Sequence, residues 1–307
     1  MRKYLFVFMA FLLVFTGSLY YFKPHTENTN KPHTLQDELG RSVTLPESKE
    51  RLISLAPNIT EILFALGMGS SVVGVSDFSD YPPEAVKLPK VGGFAGPNIE
   101  LIAELKPDLV IATADGNPEQ SVTKLNKISV PSFVINPRSY DGIVQSIGKL
   151  GIILDRKEVA EKIAEAMNAT KVYIQTQVTP LKQPKVLFQL NAKPIMSANK
   201  NTFVHDLISI AGGINIAAES GINYPKLNAE AIVQKNPDII IVASDENQFK
   251  VIQEQWKTFS SVSAVKNKKI YHINPNIILR PSPRVTQGLI QLFKIFHIPT
   301  SLEKNKG

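Results

Sequence analysis

The sequence predicts an α/β protein of two doubly wound, Rossmann-like lobes joined by a single long α-helix, and three observations lead there. The first is a stretch that occurs twice. Asn98-Ile99-Glu100-Leu101-Ile102 leads after four residues to Pro107-Asp108-Leu109-Val110-Ile111. Asn228-Ala229-Glu230-Ala231-Ile232 leads after four to Pro237-Asp238-Ile239-Ile240-Ile241, at an offset of 130 positions throughout. Asparagine caps a helix by accepting a backbone N–H bond, glutamate two positions on suits the positive end of the helix dipole, and proline stops the helix. The short β-branched run after Pro-Asp reads as a strand covered on both faces in a parallel sheet. The second observation is that the flanks repeat as well. An apolar helical stretch ending at Gly67 follows the strand-like run 52–55, and another ending at Gly212-Gly213 follows the run 186–189. Two copies so far apart indicate two similar lobes rather than a solenoid, which needs three or more closely spaced units. The third is a nearly pure helical pattern from Tyr140 to about Val178. Ile143, Ile147 and Leu150, then Val159, Ile163, Met167 and Ile174, fall at helical spacing with Lys and Glu between them.

From the N-terminus, Arg2 and Lys3 precede nineteen uncharged residues, Tyr4 to Phe22, and Lys23 follows. A basic start, an apolar core and the small residues Thr16-Gly17-Ser18 make an export signal, yet Leu19-Tyr20-Tyr21-Phe22 extends the run to nearly the roughly 20 residues that span a bilayer. Residues 1–22 are thus a cleaved signal or a retained membrane anchor. Residues 23–36 read as a polar tether. The first lobe, 37–139, opens with a hairpin turning at Gly40. It continues through strands at 52–55 and 72–75, the loop Ser79-Asp80-Tyr81-Pro82-Pro83, the repeated helix and strand, and a strand at 132–135. Residues 140–182 form the connecting helical segment, and 183–307 the second lobe, with strands near Val186, Ile239 and Ile270.

Composition excludes several functions. The net charge of +7 is spread along the chain, and the lysine clusters at Lys266, Lys268 and Lys269 and at Lys304 and Lys306 are not interleaved with aromatics, which argues against nucleic-acid binding. The absence of cysteine removes disulfides, thiolate metal sites and thiol catalysis. Of five histidines, His25 and His33 precede the first lobe and His297 lies among terminal apolar residues. His205 and His272 alone make a poor metal site, so none is expected. No Gly-x-Ser-x-Gly elbow or phosphate loop appears, and no catalytic residue is assigned.

Together, the run from Asp37 to Gly67, the loop Ser76-Asp77-Phe78-Ser79-Asp80-Tyr81-Pro82-Pro83-Glu84-Ala85, the two repeated stretches and Arg280-Pro281-Ser282-Pro283-Arg284-Val285 resemble the substrate-binding proteins of cobalamin and siderophore ABC importers. The loop with Asp80-Tyr81-Pro82-Pro83 points to the cobalamin branch. The resemblance covers Asp37 to Pro299. It implies a helical-backbone periplasmic binding protein with ligand in a cleft between the lobes. The implied protein is a monomer with no enzymatic activity and no cofactor, a corrinoid as cargo, and the permease subunits of an importer as partners. It also implies a periplasmic location, with membrane attachment if the N-terminal segment stays uncleaved.

Carried over residue by residue, the resemblance places Phe78, Asp80, Tyr81, Phe94, Tyr224 and Arg280 at the ligand. Phe94 and Tyr224 stand where the family has tryptophans, and the stretch 274–279 lacks the family's acidic and aromatic residues. The same resemblance has Glu100 and Glu230 meet arginines of the permease. Read by themselves, these residues keep plainer alternatives. The aromatics serve packing, Arg280 bonds nearby carbonyls, Asp80 forms a turn, Tyr81 and its prolines stiffen that turn, and the two glutamates suit helix dipoles. The alternative functions are a ferric-siderophore or heme receptor and, from another class, a membrane-tethered interaction module without a small-molecule ligand.

Overall fold

The computed structural model describes residues 34–298 apart from Phe94 and Pro118. The N-terminal signal or anchor, and the site residue Phe94, lie outside the described residues. The lobe begins earlier than the sequence indicated. Strand β1 (Thr34–Gln36) pairs antiparallel with β2 (Ser42–Thr44), so residues 34–36 belong to the hairpin and not to the tether. The cause is Asp37, whose carboxylate accepts the backbone N–H groups of Leu39 and Arg41 at 3.0 and 2.9 Å and the Arg41 side chain at 2.8 Å, while Gly40 makes the turn at φ +77°.

In chain order the first lobe then has β3 (Leu52–Ser54), α1 (Pro57–Ala65), β4 (Val72–Val75), and a small ribbon of β5 (Gly92–Gly93) and β6 (Gly96–Pro97). It closes with α2 (Ile99–Glu104), β7 (Leu109–Thr113), α3 (Glu119–Lys127) and β8 (Ser132–Ile135). Helices α4 (Tyr140–Ile153) and α5 (Lys157–Val178) follow. The second lobe has β9 (Lys185–Gln189), α6 (Phe203–Ile210), β10 (Ile214–Asn215), α7 (Ala229–Lys235), β11 (Ile239–Ala243), α8 (Glu246–Trp256), α9 (Ser263–Lys266), β12 (Ile270–Ile273), α10 (Pro275–Ile278) and α11 (Val285–His297). Each lobe holds a four-stranded parallel sheet, β4-β3-β7-β8 in one and β10-β9-β11-β12 in the other. The strand order is the same in both, so each has its switch point beside its first strand, where open α/β sheets bind ligands.

The repeated stretch accounts for this equivalence. Asn98 and Asn228 cap α2 and α7, accepting the N–H of Leu101 at 3.0 Å and of Ala231 at 2.8 Å. The residues before the prolines, Lys106 and Asn236, both turn the chain at φ +45°. The aspartates are more than stop signals. Asp108 accepts the backbone N–H groups of Glu50 and Arg51, and Asp238 that of Lys185, so each pins the start of its lobe's first strand.

The helical segment is two helices, broken at Asp155 with φ +56°. They pack closely because residue 151 is glycine: a Cβ there would lie 2.3 Å from that of Ala160. The long helix is α5, whose 22 residues span about 33 Å. The central strands alternate between two cores with period 2. Leu109 and Ile111 of β7 and Ile239 and Ile241 of β11 face one continuous core shared with α1, α4, α5, α6 and α11. Val110 and Ala112 face a core private to the first lobe, and Ile240 and Val242 one private to the second, which also holds the lone tryptophan, Trp256. This shared core fixes one lobe against the other. Among the described residues no helix is long and apolar enough to cross a membrane.

Candidate ligand cleft

Because both four-stranded sheets are parallel, the chain leaves their strands at the same edge of each sheet, and those exits form a cavity of about 580 Å³ between the lobes. The first lobe supplies Pro57 and Asn58 at the start of α1, Phe78 from the loop after β4, Thr113, Asp115 and Gly116 after β7, and Asn136 and Pro137 after β8. The second supplies Phe203 at the start of α6, Tyr224 from the loop before α7, and Leu279, Arg280 and Pro281 after α10. Aromatic faces thus come from both lobes. Phe78 is 62% exposed, which leaves its side chain open to the cavity it lines. Asn58 is 5% exposed and its amide nitrogen has no hydrogen-bond partner, at the start of a helix that no side chain caps.

Tyr224 reaches across the cleft. Its O–H donates to Asp115 Oδ2 at 3.4 Å, and the same carboxylate oxygen accepts from Arg138 Nη1 at 2.6 Å. Burial, then the negative charge of Asp115, pushes the phenol up to about 12, with Arg138 opposing. A tyrosine so shifted contributes stability that is complete below about pH 10 and is lost as pH rises through its folded value. An alkaline absorbance titration is therefore expected to show a late phenol near pH 12 that disappears in Tyr224→Phe. An unchanged titration curve would contradict the contact.

Beside this cavity lies an ionic cluster that the sequence reading missed. Arg280 bonds no nearby carbonyl through its side chain. Its Nη1 donates to Glu61 Oε1 of α1 at 3.0 Å and to Asp80 Oδ1 at 2.5 Å, both in the other lobe. Glu61 also accepts from Arg284 Nη1 at 3.0 Å and from Ser282 Oγ at 2.5 Å, so three donors from one short segment of the second lobe meet one carboxylate of the first. The Glu61 side chain is 1% exposed, and burial raises its pKa against the pull of Ser282 and the two arginines. The Arg280 pKa is raised too, which in a cation favours the charge. Burial disfavours its charge, but the bonds to Asp80 and Glu61 prevail and raise it. The difference arises because Arg280 is shared with Asp80, which is itself exposed and lowered by that hydrogen bond.

Of the residues expected at the ligand, Phe78, Tyr224 and Arg280 line one cavity. Asp80 stands beside it as the partner of Arg280. Tyr81 does not line that cavity. Its ring lies under the Arg284 guanidinium at 3.8 Å, in the wall of a second cavity of about 650 Å³ on the far side of the Glu61 cluster. Glu100 and Glu230 are exposed in the first turns of α2 and α7. Asp115 was also missed, although its place directly after a central strand is a usable signal. No group of three or more metal-ligating side chains occurs among the described residues.

The sequence profile of the periplasmic binding protein family matches residues 52–277. The chain belongs to that family. Periplasmic binding proteins carry solutes and catalyse no reaction. This periplasmic binding protein is 32% identical over 247 residues to the vitamin B12-binding protein of Vibrio cholerae serotype O1, across 80% of this chain and 89% of that relative. The crystal structure of the vitamin B12-binding protein BtuF of Vibrio cholerae superposes with a TM-score of 0.74 at 32% identity, covering 80% of this chain and 96% of that one. The periplasmic heme-binding protein RhuT from Roseiflexus sp. RS-1 superposes with a TM-score of 0.73 at 29% identity, covering 81% and 98%. The two-lobed α/β architecture is common to this group.

Proposed function

We propose that this periplasmic binding protein captures a corrinoid in the periplasm and delivers it to the permease subunits of an ABC importer, with the corrinoid as cargo. The observation that carries the reading is the cleft itself. A cavity of about 580 Å³ is faced by Phe78 from one lobe and Tyr224 from the other, which suits a broad, flat macrocycle laid between aromatic faces with polar groups at its edge. The likeness to vitamin B12-binding proteins supports the same ligand class. The core shared by both lobes favours small adjustments of the cleft over a wide opening. The N-terminal segment, cleaved or retained as an anchor, accounts for export, and the receptor works as a monomer.

Heme is the second reading, supported by the likeness to a heme-binding protein. The cleft favours it less. Among the described residues of the wall there is no histidine, methionine or cysteine to bind iron. The one phenol, Tyr224, is directed to Asp115 by its hydrogen bond. A thermal-shift panel separates the readings. Cobalamin or cobinamide at a hundredfold above Kd is expected to stabilise the protein by roughly 2.7 kcal/mol, with heme and ferric siderophores giving less. A shift with heme or a siderophore and none with either corrinoid would overturn the assignment.

A further inference from the structure

We propose that Asp115 selects the ligand by its edge, accepting N–H groups of a macrocycle rimmed with primary amides and rejecting one rimmed with carboxylates. The inference rests on the corrinoid reading and specifies how the cleft enforces it. Asp115 lines the cavity with its side chain 44% exposed, and its Oδ2 takes hydrogen bonds from Arg138 and Tyr224, leaving Oδ1 as an acceptor. Arg138 holds the carboxylate in place and forms no part of the cavity wall, so it is Asp115 that faces a ligand.

The other polar groups of the wall do not discriminate in this way. The Asn58 amide nitrogen, at the start of α1, is buried beneath the wall and out of reach of a ligand. Arg280 is already engaged by Glu61 and Asp80. A primary amide offers N–H to Asp115 Oδ1. A carboxylate offers two acceptors and no donor, and meets Asp115 as a like charge that Arg138 and solvent moderate without removing. Asp115 therefore decides between them.

The test measures equilibrium affinity of the full protein for cobalamin and for a cobalamin monocarboxylic acid in which one peripheral amide has been hydrolysed. Wild type is expected to prefer cobalamin. In Asp115→Asn the charge is gone and a donor is added, so cobalamin affinity should fall by roughly three- to tenfold while that for the acid rises, moving their ratio by more than about tenfold. Asp115→Ser, smaller and uncharged, should shift the ratio in the same direction, and thermal unfolding of both variants checks that they fold. Equal affinities for the two ligands in wild type, or a ratio unchanged by both variants, would overturn the inference alone. Failure of wild type to bind either corrinoid would instead overturn the reading beneath it.

Discussion

Replacing Glu61 by alanine is expected to lower the folding stability by about 3 kcal/mol, more than any other single change near the cleft. The carboxylate is buried, and its loss leaves Ser282 and Arg284 without their acceptor and Arg280 with one of its two partners. Asp80 moderates the loss by retaining Arg280. Because Glu61 belongs to α1 and its donors to the segment before α11, the damage falls on the seam between lobes. Glu61→Gln keeps the shape and should cost less. Urea unfolding of the two variants and wild type gives the comparison, and an alanine variant within about 0.5 kcal/mol of wild type would show that the cluster contributes specificity and not stability.

The double substitution Glu100→Arg with Glu230→Arg is expected to reduce uptake at least tenfold while leaving ligand affinity within about threefold. Helix N-termini in doubly wound lobes lie at the carboxyl ends of the strands, so two lobes of identical strand order are expected to carry these carboxylates at equivalent places on the cleft side. Both side chains are exposed and neither forms an ion pair among the described residues, as suits charges kept for a partner. If the protein delivers its cargo to an importer as proposed, paired carboxylates at equivalent places in two similar lobes would suit a twofold permease, since rim charges chiefly steer association and fix register. The defect in docking to importer vesicles should be largest at low ionic strength, where the reversed charges are least screened. Normal uptake by the double variant would reduce both residues to first-turn carboxylates that suit the helix dipole.

Much of the fold was legible because the chain states it locally and twice. The asparagine caps, the Pro-Asp stops and the β-branched runs of β7 and β11 each act within a dozen residues, and the offset of 130 positions links the two lobes without any knowledge of contacts. The end of the tether was misplaced because Thr34-Leu35-Gln36 looks polar and becomes a strand only through pairing with β2. At the site, Phe78, Tyr224 and Arg280 were traceable through resemblance to a family. Glu61 was not. It sits in the middle of an apolar helix, and nothing near it in sequence reveals that Arg280, Ser282 and Arg284, more than 200 positions away, complete its environment. Tyr81 was drawn to the ligand by the loop it shares with Asp80, whereas its ring turns to the opposite side of the cluster, under Arg284. Which side of a loop a ring takes is decided by tertiary partners.

The central claim, a corrinoid held between Phe78 and Tyr224, is tested most directly by calorimetric titration of cobalamin into wild type, Phe78→Ala and Tyr224→Ala. Wild type is expected to bind one cobalamin per chain, and each alanine variant to lose at least about tenfold in affinity, since each removes an aromatic face worth on the order of 1.5 kcal/mol or more. Binding of cobalamin that neither variant weakens would place the ligand elsewhere on the protein, and no binding of cobalamin by wild type would contradict the account outright.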